Sequence, residues 1–265
     1  MNSYYWIIII IFFCMIASYY SYYIYRSFVL IHKIENKYKS KFIFIRDTNK
    51  TFIDKILMYI YNNYVISIND NNSLRKILST NNNKNIIMLI ESVGGYISSS
   101  DSMLNLLNHH KPIKHAYIPV YAMSAATLLA LSCDKIYMDK CAVFGPTDPQ
   151  IMVFNDMVSF RSVLQIIENK SINKISDKLL MAYYEYKKMY DDNVKQIKQC
   201  INKHKKKNIS DDDVEEIVKT FTLGNLPHHT EIVLNDLTKV LNINNTIPAH
   251  ILTIHSLLKY IFKII

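Results

Sequence analysis

Glycine is almost missing from this sequence. It supplies 4 of 265 residues, where ordinary usage near 7% would give about 18. The composition has favoured Asn, Lys, Ile and Tyr in its place. A glycine that survives such pressure marks a backbone position needing φ > 0 or the close approach of another group. Two of the four are adjacent, in Glu91-Ser92-Val93-Gly94-Gly95-Tyr96, the third is Gly145 and the fourth Gly224. Cysteine is also scarce. Cys14, Cys133, Cys141 and Cys200 have no metal-ligand spacing and make no disulfide framework, which agrees with a reducing compartment. Charge is absent from one stretch altogether: residues 1–25 contain no Asp, Glu, Lys or Arg.

That uncharged stretch reads as a membrane anchor. Tyr5 to Ile24 is about 20 residues, enough at ~1.5 Å each to cross a hydrocarbon core of ~30 Å. Trp6 lies near one end and Tyr19, Tyr20, Tyr22, Tyr23 and Tyr25 near the other, where amphipathic rings favour the interface. A cleaved signal peptide is the rival reading, but it lacks a basic n-region. The charge that follows is positive, with Arg26, Lys33, Lys37, Lys39 and Lys41 against Glu35. The positive-inside tendency then puts the N-terminus outside and the remainder on the cytoplasmic side. The expected organisation is an anchor over 1–25, a basic, partly helical connector over 26–40, and one domain over 41–265.

The formal charge of +9 comes from dispersed lysines, so no nucleic-acid partner is expected. The one dense run, Lys203-His204-Lys205-Lys206-Lys207, precedes Ser210-Asp211-Asp212-Asp213, a helix N-cap signature. Phe42–Ile45, Tyr64–Ile68, Ile86–Ile90, His115–Tyr121 and Lys135–Met138 read as strands. Helical patterns fall around Ile53–Asn62, after a cap at Ser73, near Ser100–Asn108, after Ser124, and over most of Val158–Lys205. Leu179, Leu180, Tyr183 and Tyr184, continuing to Met189, recur at helical spacing and read as core or subunit contact. Strand–turn–helix steps this short indicate an α/β fold.

Ser124 lies in Tyr121-Ala122-Met123-Ser124-Ala125-Ala126-Thr127, at the junction of a strand and a helix. By itself such a serine is more often a helix N-cap than a nucleophile. The glycine turn at the end of a neighbouring strand changes the reading. Acyl transfer needs backbone N–H groups aimed at a developing oxyanion, and the turn supplies one at Gly95 while Ala125 supplies another. His228-His229 and His109-His110 have no zinc spacing. Asp148 reads as a turn residue close enough to line the site.

These residues resemble the Clp/crotonase-fold serine proteases, in particular the serine dehydrogenase proteinase family, relatives of signal peptide peptidase A. The resemblance is carried by Ser92-Val93-Gly94-Gly95, by Tyr121 to Thr127, by Asp134-Lys135-Ile136-Tyr137-Met138-Asp139 and by Gly145-Pro146-Thr147-Asp148-Pro149-Gln150. Thr222-Leu223-Gly224 with His228 matches a later element. It implies a Clp/crotonase-like α/β fold of repeated ββα units behind an N-terminal transmembrane helix. It also implies a protein or peptide substrate, no metal or organic cofactor, and self-association. The family's proline before the glycines is Val93 here, and its two glycines after the serine are Ala125 and Ala126.

No histidine lies between His115 and His204, so a Clp-type Ser–His–Asp triad is not expected. The relatives it resembles use a Ser–Lys dyad, in which a buried lysine acts as base in its neutral form. The positional match is Lys170, with Lys174 second. The expectation is a membrane-anchored serine endopeptidase with Ser124 and Lys170 as dyad and Gly95 and Ala125 as oxyanion donors. Two rivals are a catalytically inactive membrane-tethered scaffold and a crotonase-like acyl-CoA enzyme. The latter is disfavoured by the serine at the turn.

Overall fold

The computed structural model describes residues 3–47, 65–66, 68, 70–153, 156–222 and 230–263. The stretch expected to be helical around Ile53–Asn62 and the segment from Leu223 to His229, with Gly224 and His228, lie outside the described residues.

Helix α1 runs Ser3–Tyr38 without interruption. It is followed by β1 (Ser40–Arg46), β2 (Val65–Ile66), α2 (Asn71–Thr80), β3 (Asn85–Glu91), α3 (Ile97–His109), β4 (Lys114–Ile118) and β5 (Tyr121–Ala122). Next come α4 (Ala125–Ser132), β6 (Lys135–Met138), β7 (Val143–Phe144), the hairpin β8 (Gln150–Val153) and β9 (Asp156–Ser159), and α5 (Phe160–Asn169). A short 3₁₀ turn (Ile172–Lys174) leads to α6 (Asp177–His204), α7 (Asp211–Thr222), β10 (Ile232–Val233), α8 (Leu234–Val240) and α9 (Ala249–Lys263).

The main sheet is parallel, in the order β2-β1-β3-β4-β6. Both of its faces are covered, so its strands are continuous apolar runs rather than alternating ones. Their period of 2 still divides the interior. Ile43, Ile45, Ile86, Met88 and Ile90 enter the core shared with α2, α3 and α4, whereas Phe42, Phe44, Ile87 and Leu89 enter a second core with α1 and α9. A smaller sheet, β10-β7-β5, meets the end of β3 through the Ser92–Ala122 bridge, and the β8–β9 hairpin is separate and packs on α6.

The expected connector over 26–40 is instead the second half of α1. The reason is amphipathicity: Ser27, Ile31 and Ile34 are buried at helical spacing, the two isoleucines in the core shared with the sheet. Each of the two isoleucines contributes roughly 1.5–3 kcal/mol of burial. Helix α9 runs antiparallel to this half, stacking Tyr260 on Tyr23 and His250 on Tyr38. Helix α1 ends at Tyr38, and Lys39, with φ 46°, takes the left-handed cap position that glycine usually fills. The first half, from Tyr4, is exposed and is long and apolar enough to cross a membrane.

Other local expectations divide in the same way. Ser210 forms the capping box, its Oγ accepting from the Asp213 amide at 3.1 Å while the Asp213 carboxylate accepts from the Ser210 amide at 3.3 Å. Helix α2, by contrast, is capped by Asp70, whose carboxylate accepts from both the amide and hydroxyl of Ser73. A carboxylate three residues earlier outcompetes the serine as cap.

Candidate active site

Three chain segments meet at Ser124: the β3–α3 turn, the β5–α4 junction and the loop after β7. The β5–α4 junction is sharp. Ser124 has φ 51° and ψ −123°, a conformation costing a non-glycine residue about 1–3 kcal/mol. With Lys39 it is one of two positive-φ residues other than glycine among those described. The strain falls on the serine itself. Ala125 and Ala126 are ordinary helical residues of α4, so the loss of two glycines there carries no backbone penalty.

Ser124 stands at the N-cap position of α4, but its side chain makes no capping bond. Among the described residues its hydroxyl has no hydrogen-bond partner. The structure therefore removes the commoner explanation for a serine at this place. The hydroxyl opens into a cleft of about 650 Å³ that is also lined by Gly95, Tyr96, Leu128, Asp148, Met157 and Tyr186.

Both glycine turns are packed onto the Met123–Ser124 peptide. Gly94 has φ +106°, and a Cβ there would stand 2.8 Å from the Met123 carbonyl oxygen and 2.9 Å from Ser124 Cβ. A Cβ at Gly145 would meet the Met123 side chain at 2.5 Å. Thr127 locks the two sides together. Its buried hydroxyl contacts the Ala122 carbonyl at 2.6 Å and the Gly145 carbonyl at 2.9 Å, and lies 3.2 Å from the Gly145 amide. The Gly94 amide donates to Ser92 Oγ at 3.1 Å. The Gly95 and Ala125 amides have no acceptor among the described residues. Two unpaired N–H groups beside an unpaired hydroxyl can bind a carbonyl oxygen as it becomes an oxyanion.

Ser124, Gly95 and Ala125 are thus brought to one cleft. Lys170 and Lys174 are not. Helix α5 stops at Asn169 and Lys170 turns extended (φ −118°, ψ 142°), so its side chain leaves the buried face formed by Phe160, Val163 and Leu164. Both lysines are exposed and neither lines the cleft. Among the described lining residues there is no lysine or histidine.

Other residues enter the site beside these. Asp148, read as a turn residue close enough to line the site, is 1% exposed, lines the cleft, and accepts from Gln150 Nε2 at 2.8 Å. Met189 of α6, assigned to core or subunit packing, forms part of the cleft wall together with Asn193 and with Tyr186, which was not singled out. Asp47, at the end of β1, binds the glycine turn from below: its carboxylate accepts from Ser92 Oγ at 2.6 Å and from the Val93 amide at 3.0 Å. A proline at 93 would have no such donor.

A family model described as ClpP-like SDH-type serine proteinase matches residues 1–263. The chain is 28% identical over 196 residues to the uncharacterized protein MJ0137 of Methanocaldococcus jannaschii, covering 73% of this chain and 66% of that one. It is 31% identical over 188 residues to MJ1495 of the same organism, covering 70% and 61%. The matched part is less than two thirds of the length of either relative. Among solved structures, the chain is similar to a lysine-to-alanine mutant of the 1510-N membrane-bound stomatin-specific protease in complex with a substrate peptide, with TM-score 0.44, 14% identity, and 78% and 77% of the two chains covered. It is also similar to ClpP1 from Listeria monocytogenes, with TM-score 0.42, 12% identity, and 77% and 87% covered.

Proposed function

The chain belongs to the ClpP-like SDH-type serine proteinases, and from that premise we propose that it is a membrane-anchored serine endopeptidase whose nucleophile is Ser124. The observation that carries this reading is the strained, uncapped serine beside the unpaired amides of Gly95 and Ala125. Ser124 Oγ attacks the peptide carbonyl carbon and its proton passes to a general base. The carbonyl oxygen becomes an oxyanion held by the two amides. Collapse expels the amine, which takes up a proton, and leaves an acyl-enzyme; water then attacks the ester to release the acid and restore the serine.

The base assigned is Lys170, with Lys174 as the alternative. The support is position in the family pattern together with the absence of histidine from 116 to 203. In this reading the segment after α5 brings the amine to the cleft when peptide binds. The first half of α1 is the anchor, with the domain from Arg26 onward on the cytoplasmic side, and the chain assembles into a homo-oligomer as its family resemblance implies.

The exposure of both lysines favours a second reading, a tethered scaffold of the same fold without activity. A fluorophosphonate probe decides between them. An active hydrolase labels at Ser124 and loses the label in Ser124→Ala, while a scaffold never labels. Protease protection on intact membranes tests the orientation: digestion of the domain from the non-cytoplasmic face reverses it.

A further inference from the structure

Asp47 and Ser92 lie at the ends of two parallel strands, 45 residues apart in sequence. The β1–β3 register pairs Arg46 with Glu91, so the next residue of each strand leaves the sheet beside the other. Arg46 Nε donates to the Asp47 carbonyl at 3.0 Å, which fixes the backbone that carries the carboxylate. One carboxylate oxygen accepts from Ser92 Oγ at 2.6 Å and the other from the Val93 amide at 3.0 Å. Ser92 is fully buried. Its hydroxyl, having donated to Asp47, accepts from the Gly94 amide at 3.1 Å, and its carbonyl accepts from the Met123 amide at 2.9 Å.

We propose that Asp47 is a positioning residue for the catalytic centre, acting through Ser92 to set the oxyanion turn; this rests on the proposed role of Ser124. The direction of each hydrogen bond makes the argument. A carboxylate can only accept, so the Ser92 proton must point toward Asp47 and its lone pairs toward Gly94. The Gly94 amide is thereby turned inward, and the next amide, Gly95, is left facing the cleft. The same serine holds Met123, the residue before the nucleophile, so one buried hydroxyl-bearing residue sets both sides of the reacting centre. Asp47 also takes over the stiffening that a proline would give at 93: Val93 leaves φ free, and the bond from its amide restores the constraint.

The test uses the full chain in detergent micelles and two readouts. The first is the rate of phosphonylation of Ser124, resolved into maximal rate and half-saturating probe concentration. The second is hydrogen exchange of the amides at 93–95. Loss of one oxyanion-hole donor costs about 10²–10³-fold in turnover, and misaiming one costs less. Asp47→Ala is therefore expected to lower the maximal rate by about 10–100-fold, with the half-saturating concentration within about twofold. Asp47→Asn, which keeps one acceptor oxygen, should fall between Asp47→Ala and the unchanged protein. Ser92→Ala should match Asp47→Ala, and the double variant should lose no more than the larger single loss, because the two act as one unit. Exchange at 93 and 94 should speed up in Asp47→Ala while the melting transition stays cooperative. The proposal is overturned if exchange at 93–94 is unchanged, or if exchange rises and phosphonylation does not slow. If the unchanged protein never labels, the nucleophile assignment fails by itself, and the exchange readout still decides whether Asp47 holds the turn.

Discussion

Gly94 lies directly against Ser124: a side chain begun at Gly94 would place its first carbon 2.9 Å from the Cβ of the serine. The backbone at 94 is also left-handed, at φ +106°. Gly94→Ala therefore meets both a clash and a conformational penalty of about 1–3 kcal/mol. It should lose most fluorophosphonate labelling and lower the urea midpoint. A Gly94→Ala protein with normal labelling would show that the turn does not abut the nucleophile.

The strain at Ser124 makes a separate prediction about stability. Ser124→Ala removes the hydroxyl but keeps the unfavourable φ, so its unfolding free energy should stay within about 0.5 kcal/mol of the parent. Ser124→Gly relieves the strain at some entropic cost and should be more stable than Ser124→Ala by about 1 kcal/mol. Both should be unlabelled. Denaturant unfolding of the pair checks it, and a less stable glycine variant would remove the strained turn from the argument.

A lysine base works only as a neutral amine, so turnover should rise with pH. Lys170→Arg, which stays protonated at working pH, should then be as inactive as Lys170→Ala. If Lys170→Arg turns over normally and Lys174→Arg does not, the base is Lys174. If both variants retain activity, neither lysine serves.

Asp134 gives a pH prediction unrelated to catalysis. Burial pushes its carboxyl up, but Lys203 Nζ at 2.6 Å and the amide and ammonium of Lys114 outweigh burial and hold it below the usual range. A depressed folded value stabilises above the unfolded pKa of ~3.9 and is lost as pH falls through the folded one. Asp134→Asn should thus be less stable than the parent at neutral pH, and the gap should narrow as pH falls below the unfolded pKa of ~3.9. Urea midpoints across that range measure it; a gap that persists in acid would mean packing rather than charge.

The parts of the site legible in the sequence were those imposed by backbone sterics. Gly94 and Gly145 stood out because glycine is rare elsewhere, and both are where a Cβ would strike Met123 or Ser124. The buried strands were readable from apolar runs such as Ile86–Ile90, and the α/β class from the short strand–turn–helix steps. Asp47 was not readable, because its meeting with Ser92 depends on the β1–β3 register and leaves no local pattern. Met189 follows the same 3.6-residue period whether a helix faces a core or a cleft, so periodicity by itself did not put it in the cleft wall, and Tyr186 was not singled out. The connector was expected to be only partly helical, because charges at Lys33 and Lys37 hid the buried stripe of Ser27, Ile31 and Ile34.

The unbroken course of α1 has a mechanical consequence. Thirty-six residues rise about 54 Å at ~1.5 Å each, and the second half is bolted to the sheet, with no swivel between the two. Embedded in a bilayer by its first half, such a helix is a mast rather than a tether. The mouth of the cleft would then keep one height and one bearing above the lipid, and a peptide would have to be delivered to that station instead of being sought by a roaming head.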